Sequence, residues 1–538
     1  MKLSRPLLLL IAVGVLPLAS LADPPLGNRP DRLEWFQDQG FGLFIHWSVD
    51  SQLGVGISHS LVGASDDYVN RFFGELPGTF NPRGFRPEDW AALAKLAGVR
   101  YVVFTAKHHS GFCMFPTRTT DFGIMATPFH RDIVGEVLGA FRAQGIAAGL
   151  YFSPDDFWWL HRHGVRIQRE VPEVLPSNLP GLLAYDKAQV TELLTHYGPI
   201  DLIFFDGEAT DLRNVAWTLQ PNIVVTRGAI PTPEQTVPGR PMPGPWESNL
   251  TMGHAWQYQP TDDRYKSGRE CISLLVETRA KGGNLLLDIG PKPDGTLAIE
   301  QEERLREMAL WMFVNGECIH GVRPWIVTNE GDNWFTRAKD SDTLYVIVKG
   351  NQPWPYGQWR EVVLKSVRAG PGSEVSVLGE SGKTLEYRPN VVPAGSWREA
   401  ADGLHLRAMM AQRLRDDRSW SDPVVLKVTH VTPALVPPEI DTTSAEAGPP
   451  AAVFTADVTR LGDVPSLQVG FEYRDVTGQD VHERVGPWIR TEFAGVVKPG
   501  SVRREVTGLA PDRTYEVRAV ALHPLLNFYG QEITLRTP

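Results

Sequence analysis

The chain has 538 residues, 42% of them hydrophobic, and a formal net charge of −10. It is too long for one ordinary domain and too apolar for wholesale disorder, and it lacks the basic runs that a nucleic-acid partner requires. A barrel of roughly 250 to 350 residues followed by one or two smaller domains is the natural division.

Residues 1–22 read as a secretion signal. Lys2 and Arg5 supply the basic start, Leu7 to Leu18 the apolar run, and Ser20-Leu21-Ala22 the small-residue cleavage site. A mature chain is then expected to begin near Asp23. No later stretch is apolar enough to span a bilayer, which predicts export to a periplasmic or extracellular location. Cys113, Cys271 and Cys318 are odd in number and lack metal-ligand spacing, so they read as isolated buried residues and not as a disulfide framework.

Leu33 to Gln39 suggests a helix, and Phe41 to Trp47 a buried strand with His46 near its exit. Residues 50–84, punctuated by Gly54, Gly56, Gly63 and Pro77, read as one long loop of the kind that usually serves function. A helix over Pro87 to Leu96 precedes a strand over Tyr101 to His109. Ile133 to Gln144 is helical and Gly145 stops it; Ile146 to Ser153 is a third strand, with Tyr151 near its end. Leu183 to Tyr197 is helical. It leads into Ile200 to Gly207, an apolar strand whose last side chain, Asp206, is a carboxylate followed by a glycine. Ile223 to Gly228, Trp246 to Met252 and Asn284 to Gly290 continue the pattern, with a helix near Lys266 to Lys281 and another over Ala298 to Gly316. Seven strands are discernible in this alternation, which is that of an irregular (β/α)8 barrel of the TIM type over residues 23–325. Short alternating runs over 326–432 predict an antiparallel β-sandwich. The Pro-, Ser- and Thr-rich stretch 433–450 reads as a linker. Residues 451–538 resemble a fibronectin type III domain with a tyrosine corner at Tyr515.

His46, His108, His109, Tyr151, Asp206 and Arg227 all fall at strand exits, where such a barrel builds its working face. Each alone could be a core or loop residue, and Asp206 could merely cap a helix; together they form a candidate site. A metal is not expected, because His108 and His109 are adjacent and would point to opposite sides of an extended strand. The 16 tryptophans suit a carbohydrate ligand, since indole faces stack on sugar C–H faces. Retaining glycoside hydrolysis needs two carboxyl groups about 5 Å apart, a nucleophile and an acid/base. Asp206 supplies the first. For the second, Glu234 lies in the loop after the strand ending at Arg227, on the catalytic face; Glu247, at the start of the next strand, would face the barrel bottom. Position therefore favours Glu234 over Glu247.

The segments FGLFIHW (41–47), TAKHHSGF (105–112), Asp121 to Asp132, GLYFSP (149–154), YGPIDLIFFDG (197–207) and KGGNLLLDIGP (281–291) resemble the α-L-fucosidases of glycoside hydrolase family 29. The likeness covers roughly residues 31–330. It implies an irregular (β/α)8 barrel with a β-sandwich behind it and an exo-hydrolase that releases terminal α-L-fucose from a fucosylated glycan or oligosaccharide with retention and without a cofactor; with the signal at 1–22, a secreted one. It places the nucleophile on Asp206, sugar contacts on His46, His108, His109, Tyr151 and Arg227, and the acid/base on Glu234 or Glu247. Two departures stand out. The family usually carries Asp after its paired histidines and a Glu-Trp pair in the loop after the first strand; this chain has Ser110, and Ser58-His59-Ser60 in that loop. His59 could replace the lost sugar contacts, and a modified fucoside or a related L-sugar such as an α-L-galactoside becomes an alternative substrate. Transglycosylation, or fucose binding without catalysis, are the other functions this pattern could serve.

Overall fold

The computed structural model describes residues 26–261, 263–350, 353–414, 421–448, 451–478 and 487–538; the expected signal at 1–22 lies outside them. Strands β1 (Phe41–Ile45), β2 (Tyr101–Lys107), β3 (Ala147–Phe152), β4 (Leu202–Phe205), β5 (Val224–Val225), β6 (Glu247–Thr251) and β7 (Asn284–Ile289) form one sheet in the order β5-β4-β3-β2-β1-β7-β6. Neighbours in it run parallel. Helices cover the outer face and side chains fill the inner one, so these strands are apolar along nearly their whole length. Each ends one to three residues short of the run that predicts it. His46, His108, His109 and Asp206 therefore lie just past the strand ends.

The seven strands curl without closing as a regular barrel. The eighth position, between β5 and β6, is taken by the extended segment 231–235, previously expected as loop. The carbonyls of Pro231 and Pro233 accept from Glu247 N (3.1 Å) and Asn249 N (3.0 Å), and Gln235 N donates to Asn249 O (2.9 Å). Proline has no N–H to return the bond at 231 or 233, so only the bridge between Glu234 and Asn249 is complete. This stunted stave carries Glu234.

Residues 50–84 are not one loop. They hold two 3-10 turns and the helix α1 (Asp66–Thr79). Ser65 caps that helix by accepting from Tyr68 N, Asp66 and Asp67 occupy its first turn, and Val69, Phe72, Phe73 and Pro77 form its buried face. Pro77 falls in the last turn of this helix, close to its end.

The sandwich begins earlier than residue 326, within a strand over Val322–Glu330, and consists mainly of a five-stranded and a three-stranded sheet. Its buried side chains, Phe335 and Leu344 among them, belong to the same apolar cluster as the barrel. The stretch 433–450 is only partly a linker, because Glu439–Glu446 is a strand paired with Ala452–Arg460. Ile440 and Thr442 point inward from it, an alternation that a composition rich in Ser, Thr and Ala conceals. The terminal domain has its own core around Phe454, Phe471 and Val517. Its tyrosine corner is present: the Tyr515 hydroxyl accepts from Ala510 N at 3.0 Å. Cys113, Cys271 and Cys318 are free and buried. Among the described residues no helix is long and apolar enough to cross a membrane.

Candidate active site

Asp206 follows β4 by one residue, its N–H still bonded to Phe152 O at 3.1 Å. Gly207 then turns the chain at φ +142, against Pro154. Both carboxylate oxygens are held. Oδ2 accepts from the Tyr151 hydroxyl at 2.7 Å and lies 3.4 Å from His109 Nε2; Oδ1 accepts from Arg227 Nη1 at 2.9 Å. Burial alone would raise the proton affinity of this carboxyl, but the Arg227 charge and the Tyr151 hydrogen bond outweigh it and hold Asp206 below the usual carboxylate value. Asp206 is thus an ionised carboxylate held in one orientation.

Arg227 reaches in two directions. Its Nη2 donates to Glu234 Oε2 at 2.5 Å, and its guanidinium lies 4.8 Å over the Phe204 ring. One planar cation therefore spans both carboxylates. Asp206 is 18% exposed and Glu234 45%, which puts the first in the floor of the site and the second on its open rim. Glu247 is elsewhere: it is fully buried at the start of β6 and accepts from the Tyr101 hydroxyl at 2.6 Å, at the opposite end of the strands.

An aromatic stack forms the floor. Phe204 stacks on Tyr151, and Tyr151 on His108 at 5.2 Å and an interplanar angle of 5°. His46 meets Tyr151, His108 and the half-buried Trp256 edge-on or tilted, and its Nδ1 shares a 2.7 Å hydrogen bond with Asp288 Oδ1. Burial drives His46 down to about 3 and Asp288 well up, so both prefer their neutral forms. Burial likewise keeps His108 and His109 neutral near pH 7. Neutral imidazoles can both donate to and accept from sugar hydroxyls.

The paired histidines do not diverge. β2 ends at Lys107, the chain turns, and the two rings lie 4.1 Å apart on the same side. With Asp206 they place one possible ligand atom each within 4.8 Å of one another. The donor set does not suit a cation, because both Asp206 oxygens are engaged and Arg227 stands beside them.

Several contributors lie in loops, where only Ser58, His59 and Ser110 are marked in the sequence, as departures from the family pattern. Asp50 Oδ2 accepts from Ser58 N at 2.6 Å; Ser58, at φ +60, in turn accepts from Ser110 N at 2.9 Å and pairs with His108 Nδ1 at 2.9 Å. His59 stands exposed beside them, its ring 5.5 Å from His109. Arg169 is bound to Asp155 at 2.7 Å, and its charge reaches Asp206. Behind the site, Lys107 Nζ is buried between Asp156 (3.1 Å) and Asp186 (2.8 Å).

A family model described as alpha-L-fucosidase matches residues 27–317. The tissue alpha-L-fucosidase of Rattus norvegicus is 31% identical over 417 residues, covering 67% of this chain and 84% of that protein. The human tissue alpha-L-fucosidase is 30% identical over 393 residues, 61% of this chain and 80% of that one. Among solved structures, alpha-L-fucosidase isoenzyme 1 from Paenibacillus thiaminolyticus superposes with a TM-score of 0.60 at 26% identity, covering 74% of this chain and 98% of that one. The Thermotoga maritima alpha-fucosidase in complex with a mechanism-based inhibitor gives 0.59 at 26% identity, with 74% and 96% covered.

Proposed function

Because the chain belongs to the alpha-L-fucosidase family, we propose that it is an exported exo-hydrolase that removes terminal α-L-fucose from fucosylated glycans by retaining double displacement. The observation that carries this reading is the Arg227 guanidinium held between Asp206 and Glu234. Two carboxyls bound by the two terminal nitrogens of one guanidinium favour the close pair, about 5 Å apart, that a retaining enzyme uses over the wider pair of an inverting one. Glu234 on the rim protonates the glycosidic oxygen while Asp206 attacks the anomeric carbon. Fucosyl-Asp206 forms and the alcohol leaves. Glu234 then takes a proton from water, which releases fucose with its original configuration. The neutral histidines and Tyr151 hold the sugar hydroxyls. Glu247, buried at the other end of its strand, takes no part.

Azide separates the roles. Glu234→Ala should lose about 10²- to 10⁴-fold on unactivated fucosides and, with azide, give the α-fucosyl azide; Asp206→Ala should lose nearly all turnover and, rescued, give the β-anomer. Rescue of Glu247→Ala and not of Glu234→Ala would assign the acid/base to Glu247 instead.

The Ser58-His59-Ser60 loop favours one further reading of the same chemistry. His59 stands at the sugar site where the family usually has its Glu-Trp pair, so the preferred sugar is a substituted fucose or a related L-sugar. A panel of aryl α-L-fucoside, aryl α-L-galactoside and fucosylated oligosaccharides tests this, and highest activity on the plain aryl fucoside counts against it.

A further inference from the structure

The stave that bears Glu234 is tied to β6 by three backbone hydrogen bonds and by the side chains of Asn249 and Gln235, whereas the strap that continues from it leaves the sheet. Its ascending arm, 231–235, has two prolines that return no hydrogen bond to β6. At Gln235 the backbone enters the left-handed region (φ +52) and the strap turns back along the outside of β6. The descending arm is gripped at successive points. Ser248 Oγ donates to Thr236 O at 2.9 Å, and Lys281 Nζ to Pro238 O at 2.5 Å. The next two contacts come from the terminal domain. Gly239 lies so close to Glu532 that a Cβ there would stand 2.7 Å from the Glu532 Cδ. Arg240 Nη2 bonds Asp441 Oδ2 at 2.8 Å and Gln531 Oε1 at 3.4 Å. Asp441 is itself braced through Oδ1 by Gln531 N at 3.4 Å. A cavity of about 720 Å³, walled by Gln235, Val237, Trp334 and Trp488, separates strap and domains beyond these points, so the hold is made at few places.

We propose that the fibronectin type III-like domain is a clamp on the strap that presents Glu234, with Arg240 and Asp441 as positioning residues for proton transfer to the leaving group. This rests on Glu234 being the acid/base. Among the described residues the domain contributes no group to the sugar pocket. It acts through five residues of backbone on the one carboxyl that must follow the leaving oxygen. A half-exposed ion pair contributes little to stability, whereas displacing a catalytic carboxyl by a fraction of an ångström is felt in the rate.

The test uses the full chain and aryl and alkyl α-L-fucosides whose leaving groups run from 4-nitrophenol to an unactivated alcohol. The value read is kcat/KM, which reports the step in which the leaving group departs. Arg240→Gln and Asp441→Asn should each lower kcat/KM about tenfold for the poorest leaving group and leave 4-nitrophenyl fucoside within about twofold. The swapped pair Arg240→Asp with Asp441→Arg should recover most of the loss. Glu234→Ala is run alongside and should show the same selectivity, larger. If Glu234→Ala is selective and the clamp variants are flat or lose equally on all substrates, the clamp is refuted. If Glu234→Ala itself shows no selectivity, the acid/base reading fails and takes the clamp with it.

Discussion

Glu247 shows how position along one strand divides two chemically similar carboxyls. It is fully buried, one oxygen on Tyr101 and the other without a partner, and burial raises it from 4.5 to about 7. The folded state therefore keeps a proton that the unfolded chain releases between these values, and stability falls as pH rises through that window. Glu247→Gln keeps an acceptor for Tyr101 and removes the titration. Relative to the parent, this variant should gain stability from pH 4.5 to pH 8 by an amount on the order of 3 kcal/mol, read as the difference in urea unfolding midpoints at the two pH values. No change in that difference would mean Glu247 stays ionised in the fold. Among site residues, those at strand ends were legible, because a polar side chain closing an apolar run stands out. Ser58, Arg169 and Trp256 come from irregular loops, where no period marks them, and only the folded chain brings them to His108, Asp206 and His46.

At the scale of elements, proline and glycine hide two pieces of regular structure. In α1, Gly74, Pro77 and Gly78 mask an amphipathic helix whose Phe73 packs against Phe72, Phe122 and Trp158. That helix holds the loop before it, through Tyr68 to Ser60 (2.9 Å) and Gln52 to Leu76 O (3.0 Å). Phe73→Ala should therefore cost about 3–5 kcal/mol in chemical unfolding; a loss under about 1 kcal/mol would place that face outside the core. In the segment 231–235, Pro231 and Pro233 hide an eighth stave by removing the donors that define a strand. The regular strands were visible because burial on both faces leaves little room for anything but apolar residues.

Across the whole molecule, barrel and sandwich share one apolar cluster, whereas the terminal domain has its own and meets the barrel through polar contacts such as Arg240 with Asp441. Scanning calorimetry should accordingly show two transitions, one for barrel and sandwich together and one for the terminal domain. A single transition, or separate melting of barrel and sandwich, would contradict this division. Arg227 has a role across the reaction cycle that no static contact expresses. On the mechanism proposed above, Asp206 is the anion beside it in the resting site, and Glu234 holds the proton that the leaving group takes. Once Asp206 is esterified by the sugar in that cycle, Glu234 has given up its proton, and the negative charge beside the guanidinium has passed from one carboxyl to the other. The same arginine thus resets the second carboxyl for its second task, and the two half-reactions are coupled through a cation that neither consumes.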